Sequence, residues 1–435
     1  MNDIIPKKKI LEFGPYLKHN IEPSDVKYGL PKKIQYCKNC LISNQKPDMC
    51  AEHEHNIKTI KETIAFNKEG LCEACKLAKK KKDIDWDFRK KELKKLLDKY
   101  RSNNGSYDVL VPGSGGKDSF YVAHKLKYEY GMHPLTCTFA PHLYTTWGQH
   151  NFYAWLNEGF SNYLFTSNPL INRFITRLSF ETILHPFQPW INGQKNFPTK
   201  FARTMNIPLV IYGENPAEYG NPSDDYYDDM LMEWFACKNK EDINISGIHI
   251  KDLREKFGLN ESELEAYMPL SYDEFKESKL KCVAWSYFEN WHPQSNYYYT
   301  VKNSNHKPSP ERTLGTYSRY ASIDDQLDDL HFYTTKIKFG IGRAHHDVAQ
   351  EIRSGDISKE EGESLINKYD GEYPTRFLEN LLNYLSFDIR QEKRFSKFFE
   401  QPKVDIKYFD DHCDFFRSPH IWKKTNEGWK LRNKI

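Results

Sequence analysis

The stretch Tyr107–Lys127 constrains the fold more than any other part of the chain. Val109-Leu-Val111 is a short apolar run, read as a buried parallel strand. Gly113-Ser-Gly-Gly116 follows, and then Phe120, Ala123, His124 and Leu126 recur at helical spacing. A strand that passes into a helix through a glycine loop is an anion trap. The small residues let backbone N–H groups close on a ligand, and the helix N-terminus adds roughly half a positive charge. Lys117 contributes a full charge, and Ser114 and Ser119 contribute hydroxyl donors. Asp118 would repel a bare phosphate, so its presence points to a Mg²⁺ between its carboxylate and the phosphates.

Further apolar runs supply the rest of an α/β, doubly wound parallel sheet. Pro134–Ala140, Tyr163–Thr166 and Ile207–Gly213 read as strands, and Cys282–Trp291 as a last, aromatic strand. Helical patterns fall at Trp86–Tyr100, Asn151–Phe160, Val348–Tyr369 and Pro374–Phe399. Ligands of such sheets sit at the carboxyl ends of strands, which makes Thr138, Phe139 and Ala140 candidates for an adenine pocket. Glu214-Asn215 follows Gly213, just past another buried strand. It is either a pair of substrate contacts or a turn with an Asn cap.

Ahead of the sheet, Cys37-Lys-Asn-Cys40 and Cys72-Glu-Ala-Cys75 offer four thiolates for one structural Zn²⁺, with Cys50, His53 and His55 as possible substitutes. Nine cysteines in this pattern suit a reducing cytoplasm and a metal rather than a disulfide framework. The lysine run Lys76–Lys82 reads as a solvated face rather than a nucleic-acid patch, and the acidic residues Asp224, Asp225, Asp228 and Asp229 as a solvated face rather than a Mg²⁺ site. No apolar run approaches the ~18 residues of a membrane span. The 63 Lys plus Arg against 60 Asp plus Glu give no strong field for nucleic acid. The expected organisation is an arm over 1–35, a zinc ribbon over 36–82, and a nucleotide-binding catalytic domain over 83–345 with a helical insert near 224–280. A helical C-terminal region over 346–435 completes it.

Ser114-Gly-Gly-Lys-Asp-Ser119 fits neither the Walker loop nor the dinucleotide fingerprint. It resembles the PP-loop of N-type ATP pyrophosphatases, with their adenine nucleotide alpha hydrolase-like fold, where this loop holds the pyrophosphate end of ATP. The wider pattern resembles the N-acetyl sugar amidotransferase family of lipopolysaccharide, surface-polysaccharide and nonulosonic-acid biosynthesis. That likeness rests on the two cysteine pairs, Gly113–Ser119, Pro186-Phe-Gln-Pro-Trp190 with Gly193-Gln-Lys195, and Tyr212-Gly-Glu-Asn215 with Glu218-Tyr-Gly220. It continues through Tyr287-Phe-x-x-Trp291, Asp324-Asp325, and Lys338-Phe-Gly-x-Gly-Arg343 with Glu351-Ile-Arg353.

The resemblance implies conversion of an acetamido to an acetamidino group of a sugar or nucleotide-sugar, with ATP, Mg²⁺ and structural Zn²⁺. The amide oxygen is adenylated, and ammonia displaces AMP. It implies that Gly113, Ser114, Gly115, Gly116, Lys117 and Ser119 hold the nucleotide phosphates, that Asp118 holds Mg²⁺, and that Gly213 lines the site. Glu214 would orient ammonia and Asn215 the acetamido group. Arg343 would clamp a phosphate or a sugar carboxylate, or would form an ordinary ion pair. No glutaminase motif accompanies the chain's cysteines, so ammonia is expected from a separate glutaminase partner. The alternative is a PP-loop tRNA-thiolating enzyme, which usually carries further paired cysteines after the loop. None follows Ser119 here.

Overall fold

The computed structural model describes residues 25–48, 51–220 and 232–435. Most of the N-terminal arm, Cys50 and the acidic residues Asp224, Asp225, Asp228 and Asp229 lie outside the described residues. The described end of the arm packs on the C-terminal part of the chain, where Tyr28 Oη donates to Phe416 O at 2.6 Å and Lys27 N to Ser418 Oγ at 2.9 Å.

Two helices, α1 (Glu73–Lys80) and α2 (Trp86–Tyr100), lead to the central sheet. Asp85 starts α2 by accepting from Phe88 N–H, which satisfies one of the free donors of the first turn. Strands and helices then alternate: β1 (Val109–Pro112), α3 (Lys117–Tyr128), β2 (Pro134–Phe139), α4 (Thr146–Asn157) and β3 (Asn162–Phe165). They are followed by α5 (Pro169–Ile183), α6 (Gln188–Thr204), β4 (Leu209–Tyr212) and, after an insert, β5 (Lys281–Ala284). All five strands are parallel, in the order β3-β2-β1-β4-β5.

Side chains alternate between the two faces of a strand. Val109, Val111, Leu209, Ile211 and Val283 pack with Leu93, Leu97, Phe120 and Trp155 on one face. Leu110, Leu135, Cys137, Val210 and Cys282 pack with Ala202 and Ile207 on the other. Both faces are therefore covered, and the strands read as continuous apolar runs for that reason. The chain runs outward to β3 at one edge and resumes with β4 on the far side of β1. The carboxyl ends of β1 and β4 are thus the switch point of the sheet, where a crevice opens.

Four sequence expectations are corrected. The strand expected to reach Trp291 ends at Ala284, because Trp285–Tyr287 coil into a 3-10 turn while Ser286 N–H still donates to Gly213 O at 2.9 Å. The described part of the insert is not simply helical. Short helices at Ile250–Glu255 and Tyr272–Ser278 mix with two-residue strands, and the whole packs on Phe174, Ile175 and Leu178 of α5.

After β5 the chain continues through α7 (Pro293–Asn303), α8 (Leu327–Phe339), α9 (Arg343–Ser354), α10 (Lys359–Tyr369), α11 (Leu378–Leu385), a short kinked helix over Ile389–Ser396, and α12 (Ile406–Phe416). It then ends in an antiparallel hairpin, β6 (Trp422–Thr425) with β7 (Gly428–Leu431), rather than in helix. Each of the two long helices expected there is broken, one at Gly355 and the other around Ser386. None of the described helices is long and apolar enough to cross a membrane.

Candidate active site

The loop after β1 is pinned on both sides. Gly113 N–H donates to Cys137 O at 2.9 Å, and Thr138 Oγ1 donates to Gly113 O at 2.7 Å. Two of its glycines are sterically required. A Cβ on Gly113 would lie 2.1 Å from Ser119 Cβ. Gly115 has φ +88°, and a Cβ there would lie 2.7 Å from Phe152 Cα in α4. The backbone passes through a space that only glycine fits.

No side chain caps the N-terminus of α3, so its first-turn N–H groups face the loop as an anion site. Lys117 Nζ is ion-paired to the Asp118 carboxylate. Asp118 also accepts from Asn296 Nδ2 of α7 at 3.3 Å, and Thr300 Oγ1 of the same helix donates to Lys117 O at 3.0 Å. Ser119 Oγ is bonded to Gly116 O at 3.1 Å.

Two cavities meet at this loop and share Ser114, Gly116, Asp118, Glu214, Tyr219 and Trp190. The smaller, about 320 Å³, runs along the strand ends and is lined by Pro112, Ser119, Cys137, Phe139, Tyr212 and Phe235. The larger, about 630 Å³, lies between the loop and residues 318–351. Of the expected adenine contacts, Phe139 lines the smaller cavity. Thr138 gives its hydroxyl to Gly113, and Ala140 O accepts from Trp190 Nε1 at 3.0 Å.

Glu214 and Gly213 stand at the end of β4, facing the loop across the crevice. Tyr219 Oη donates to Glu214 Oε1 at 2.5 Å. Burial, with the Asp118 carboxylate next in weight, pushes the Glu214 carboxyl up to about 7. Asn215 has a different job: its Oδ1 accepts from Ala217 N–H at 2.9 Å and caps a short 3-10 turn. The turn reading of this residue describes its geometry.

The far wall of the larger cavity is acidic, with one arginine. Burial raises the carboxyl pKa values of Asp324 and Asp328, and neighbouring aspartates push the same way. Asp325 accepts from His142 N–H at 2.7 Å and His142 Nδ1 at 2.9 Å, tying this wall to the segment after β2. Arg343 reaches the same cavity and is also ion-paired. Its Nε lies 2.7 Å from Asp347 Oδ1, and one Nη donates to Ser322 Oγ at 2.9 Å.

The start of α9 is fixed from behind by Asp370, which accepts from Gly342 N–H at 3.0 Å and pairs with Lys336 at 2.5 Å. Against the cost of burial, Lys336 and His345 hold the Asp370 carboxyl below the usual range.

Tyr219, Trp190, Trp291, Asp324 and Asp328 line the site, yet sequence reasoning gave them no role. All but Asp328 lie within the motif blocks quoted above, so co-occurrence of those blocks was the available signal. Lys46, also on the wall, carries no sequence signal.

Residues 314–435 match a family model described as LPS biosynthesis protein WbpG-like, C-terminal domain. No curated protein matches the chain at a significant level. The matched segment carries Ser322, Asp324, Asp328, His331, Arg343 and Asp347, which together form the wall opposite the loop.

Cys37, Cys40, Cys72 and Cys75 form the second centre, with all four Sγ atoms within 4.8 Å of one another. The Cys37–Cys75 and Cys40–Cys72 separations are 3.7 and 3.6 Å. Four thiolates about 2.3 Å from a tetrahedral Zn²⁺ would be about 3.8 Å apart, so the residues fit that ion. His53 and His55 stand outside the cluster. Asn39 Nδ2 and Cys72 N–H donate to the sulfurs at 3.3 and 3.4 Å.

This centre is joined to the crevice. Arg353 donates to Cys40 Sγ at 3.5 Å and to Glu218 O at 3.1 Å, and Lys81 pairs with Glu218 at 2.9 Å. Glu218 precedes Tyr219, the partner of Glu214.

Proposed function

We propose that the chain is an ATP-dependent amidotransferase that converts an acetamido group of a sugar or nucleotide-sugar to an acetamidino group in lipopolysaccharide or related glycan biosynthesis. The observation that carries this reading is the meeting of two cavities at one phosphate-type loop. The smaller has an apolar end suited to adenine, and the larger carries the charged side chains Lys117, Asp324, Asp328 and Arg343 and has room for a sugar. ATP lying across the loop would present its α-phosphorus where the cavities join.

The amide carbonyl oxygen is a poor leaving group until it is adenylated. Its attack on the α-phosphorus breaks the bond to pyrophosphate and gives an imidate–AMP. Ammonia then adds to the carbon, and AMP departs with the former amide oxygen. The N–H groups of Ser114–Gly116 and the start of α3, with Lys117 and Ser119, bind the departing pyrophosphate. Mg²⁺, when held by Asp118, would neutralise phosphate charge. Glu214, with a carboxyl poised near neutrality, takes a proton from the incoming nitrogen. Arg343, held by Asp347, faces the sugar or its carboxylate. Ammonia comes from a separate glutaminase: Cys137, Cys237, Cys282 and Cys413 are all buried, and burial pushes the Cys137 and Cys413 thiols up, away from nucleophilic thiolates.

The test is incubation with ATP, Mg²⁺, ammonium and a panel of acetamido sugars. Mass spectrometry should find oxygen replaced by NH in the sugar, with AMP as co-product. ADP as co-product would overturn the proposal. The tRNA-thiolating alternative gains no support, since the four-cysteine site is the only such metal cluster among the described residues.

A further inference from the structure

Four lysines are buried among the described residues: Lys27, Lys46, Lys336 and Lys338. Burying an ammonium group is costly unless it is paired or well hydrogen-bonded. Three of the four meet that demand. Lys336 pairs with Asp370, Lys338 Nζ donates to Ile183 O at 2.8 Å, and Lys27 Nζ donates to Phe415 O. Lys46 does not. It is only 6% exposed and forms no ion pair. Its one side-chain hydrogen bond runs to the neighbouring Pro47 O at 3.4 Å, beyond the usual range. Asp48 is the carboxylate that acts on it most strongly, and Arg353 adds a like charge.

This ammonium stands at a cavity. Lys46 and Pro47 line the larger cavity from the side of the ribbon, and Arg343 and His346 line it from α9. Lys46 and Arg343 both act on His346, so the two cations share one part of the wall. The backbone that carries Lys46 is fixed. Its N–H donates to Ser43 O at 3.1 Å, its C=O accepts from Ile64 N–H at 3.1 Å, and Pro47 bridges to Thr63. A charge held on a rigid turn without a counter-charge disfavours the empty protein and favours a bound anion. The other charged groups decide where an anion goes. Asp324 and Asp328 would repel one, and Asp347 is already engaged by Arg343.

We propose that Lys46 is a substrate-binding residue that takes an oxyanion of the acetamido sugar, a carboxylate or a phosphate, at the Arg343 end of the larger cavity. This rests on the amidotransferase reading above. The oxyanion is drawn away from Asp118, Glu214 and Asp324, which leaves the acetamido group free to reach the loop. The four-cysteine ribbon then carries a side chain into the site as well as closing its own fold. A neutral sugar gains nothing from Lys46, so the residue selects charged acetamido sugars over neutral ones.

The test compares wild type with Lys46→Gln in amidine formation from ATP, Mg²⁺, ammonium and three probes. N-acetylneuraminic acid carries a carboxylate, N-acetylglucosamine 1-phosphate carries a phosphate, and N-acetylglucosamine is neutral. Wild type should have a KM about tenfold or more lower for one anionic probe than for the neutral one, and the better arm identifies the oxyanion. Lys46→Gln should raise that KM about tenfold or more, leave the KM for ATP unmoved and keep the zinc. Its denaturant midpoint should be equal or higher, since an unpaired buried charge has gone, whereas loss of a structural lysine would lower it. Preference for the neutral sugar, an unchanged sugar KM, an equal rise in the KM for ATP, or a lowered midpoint overturns the proposal.

If wild type forms no amidine from any acetamido sugar, the amidotransferase reading fails, and the anion site is judged by crystallography instead. Crystals soaked in sodium selenate should show anomalous density within hydrogen-bond reach of Lys46 Nζ that is lost in Lys46→Gln. Selenate found only at the loop Gly113–Ser119, or at neither place, overturns the proposal.

Discussion

Glu214→Gln tests whether the crevice is built at a cost to stability. In an unfolded chain the Glu214 carboxyl ionises near 4.5, and in the fold it does so at about 7. The folded state therefore holds the proton more tightly than the unfolded state. The stability this gives is fully present below 4.5 and is lost as pH rises through about 7. At ~1.4 kcal/mol for each tenfold step in proton activity, the ceiling is about 3 kcal/mol, less where cavity water reaches the carboxyl. Glutamine keeps the shape and cannot ionise. Denaturant unfolding of both proteins across pH 5 to 8.5, compared as a difference, cancels the other titrating groups. The variant should gain on wild type as pH rises, by about 2–3 kcal/mol over that range. Its amidine-forming rate should lose the rise with pH that wild type shows through about 7. A stability difference that stays constant with pH would refute the burial argument.

Other perturbations probe the supports of the site. Gly115→Ala forces a side chain into a left-handed position against the α4 backbone. It should cost about 1–3 kcal/mol and abolish ATP binding, measured by calorimetry. Asp370→Asn leaves buried Lys336 without its counter-charge and should cost about 3–5 kcal/mol in denaturant unfolding. Metal analysis should find one Zn²⁺ bound by the four cysteines, and Cys72→Ser should lose it along with the fold of the ribbon. Arg353→Gln should keep the zinc yet lower kcat, because the guanidinium links Cys40 to the backbone before Tyr219.

How much of this was legible in the sequence depended on range. The stretch from β1 through the loop to α3 is local, so glycine spacing and apolar runs exposed it. Both cysteine pairs are likewise short-range signals, and the cluster closes as their spacing suggests. Glu214 could be located because a polar residue directly after a buried strand stands out, though its neighbour Asn215 turned out to cap a turn.

The far wall was not legible in the same way. Asp324, Asp328 and Arg343 meet the loop only because α8 and α9 are carried back across the sheet, and Asp370 fixes that approach from sixteen residues beyond α9's last turn. The aromatic run after Ala284 looked like strand because Trp and Tyr favour strands, but packing with Tyr121 and Trp291 decided otherwise. The terminal hairpin was missed for a similar reason. Its strands are four residues each, and Trp422 is anchored by a bond from Nε1 to Ile337 O at 2.8 Å, a contact no local pattern reveals.

The central claim is that ATP activates the amide oxygen by transfer of AMP at the loop Gly113–Ser119. It is tested most directly by running the reaction with oxygen-18 in the acetamido carbonyl and weighing the nucleotide product. The account predicts AMP carrying one heavy oxygen for each amidine formed. Heavy oxygen in inorganic phosphate with ADP as the nucleotide, or unlabelled AMP, would contradict it.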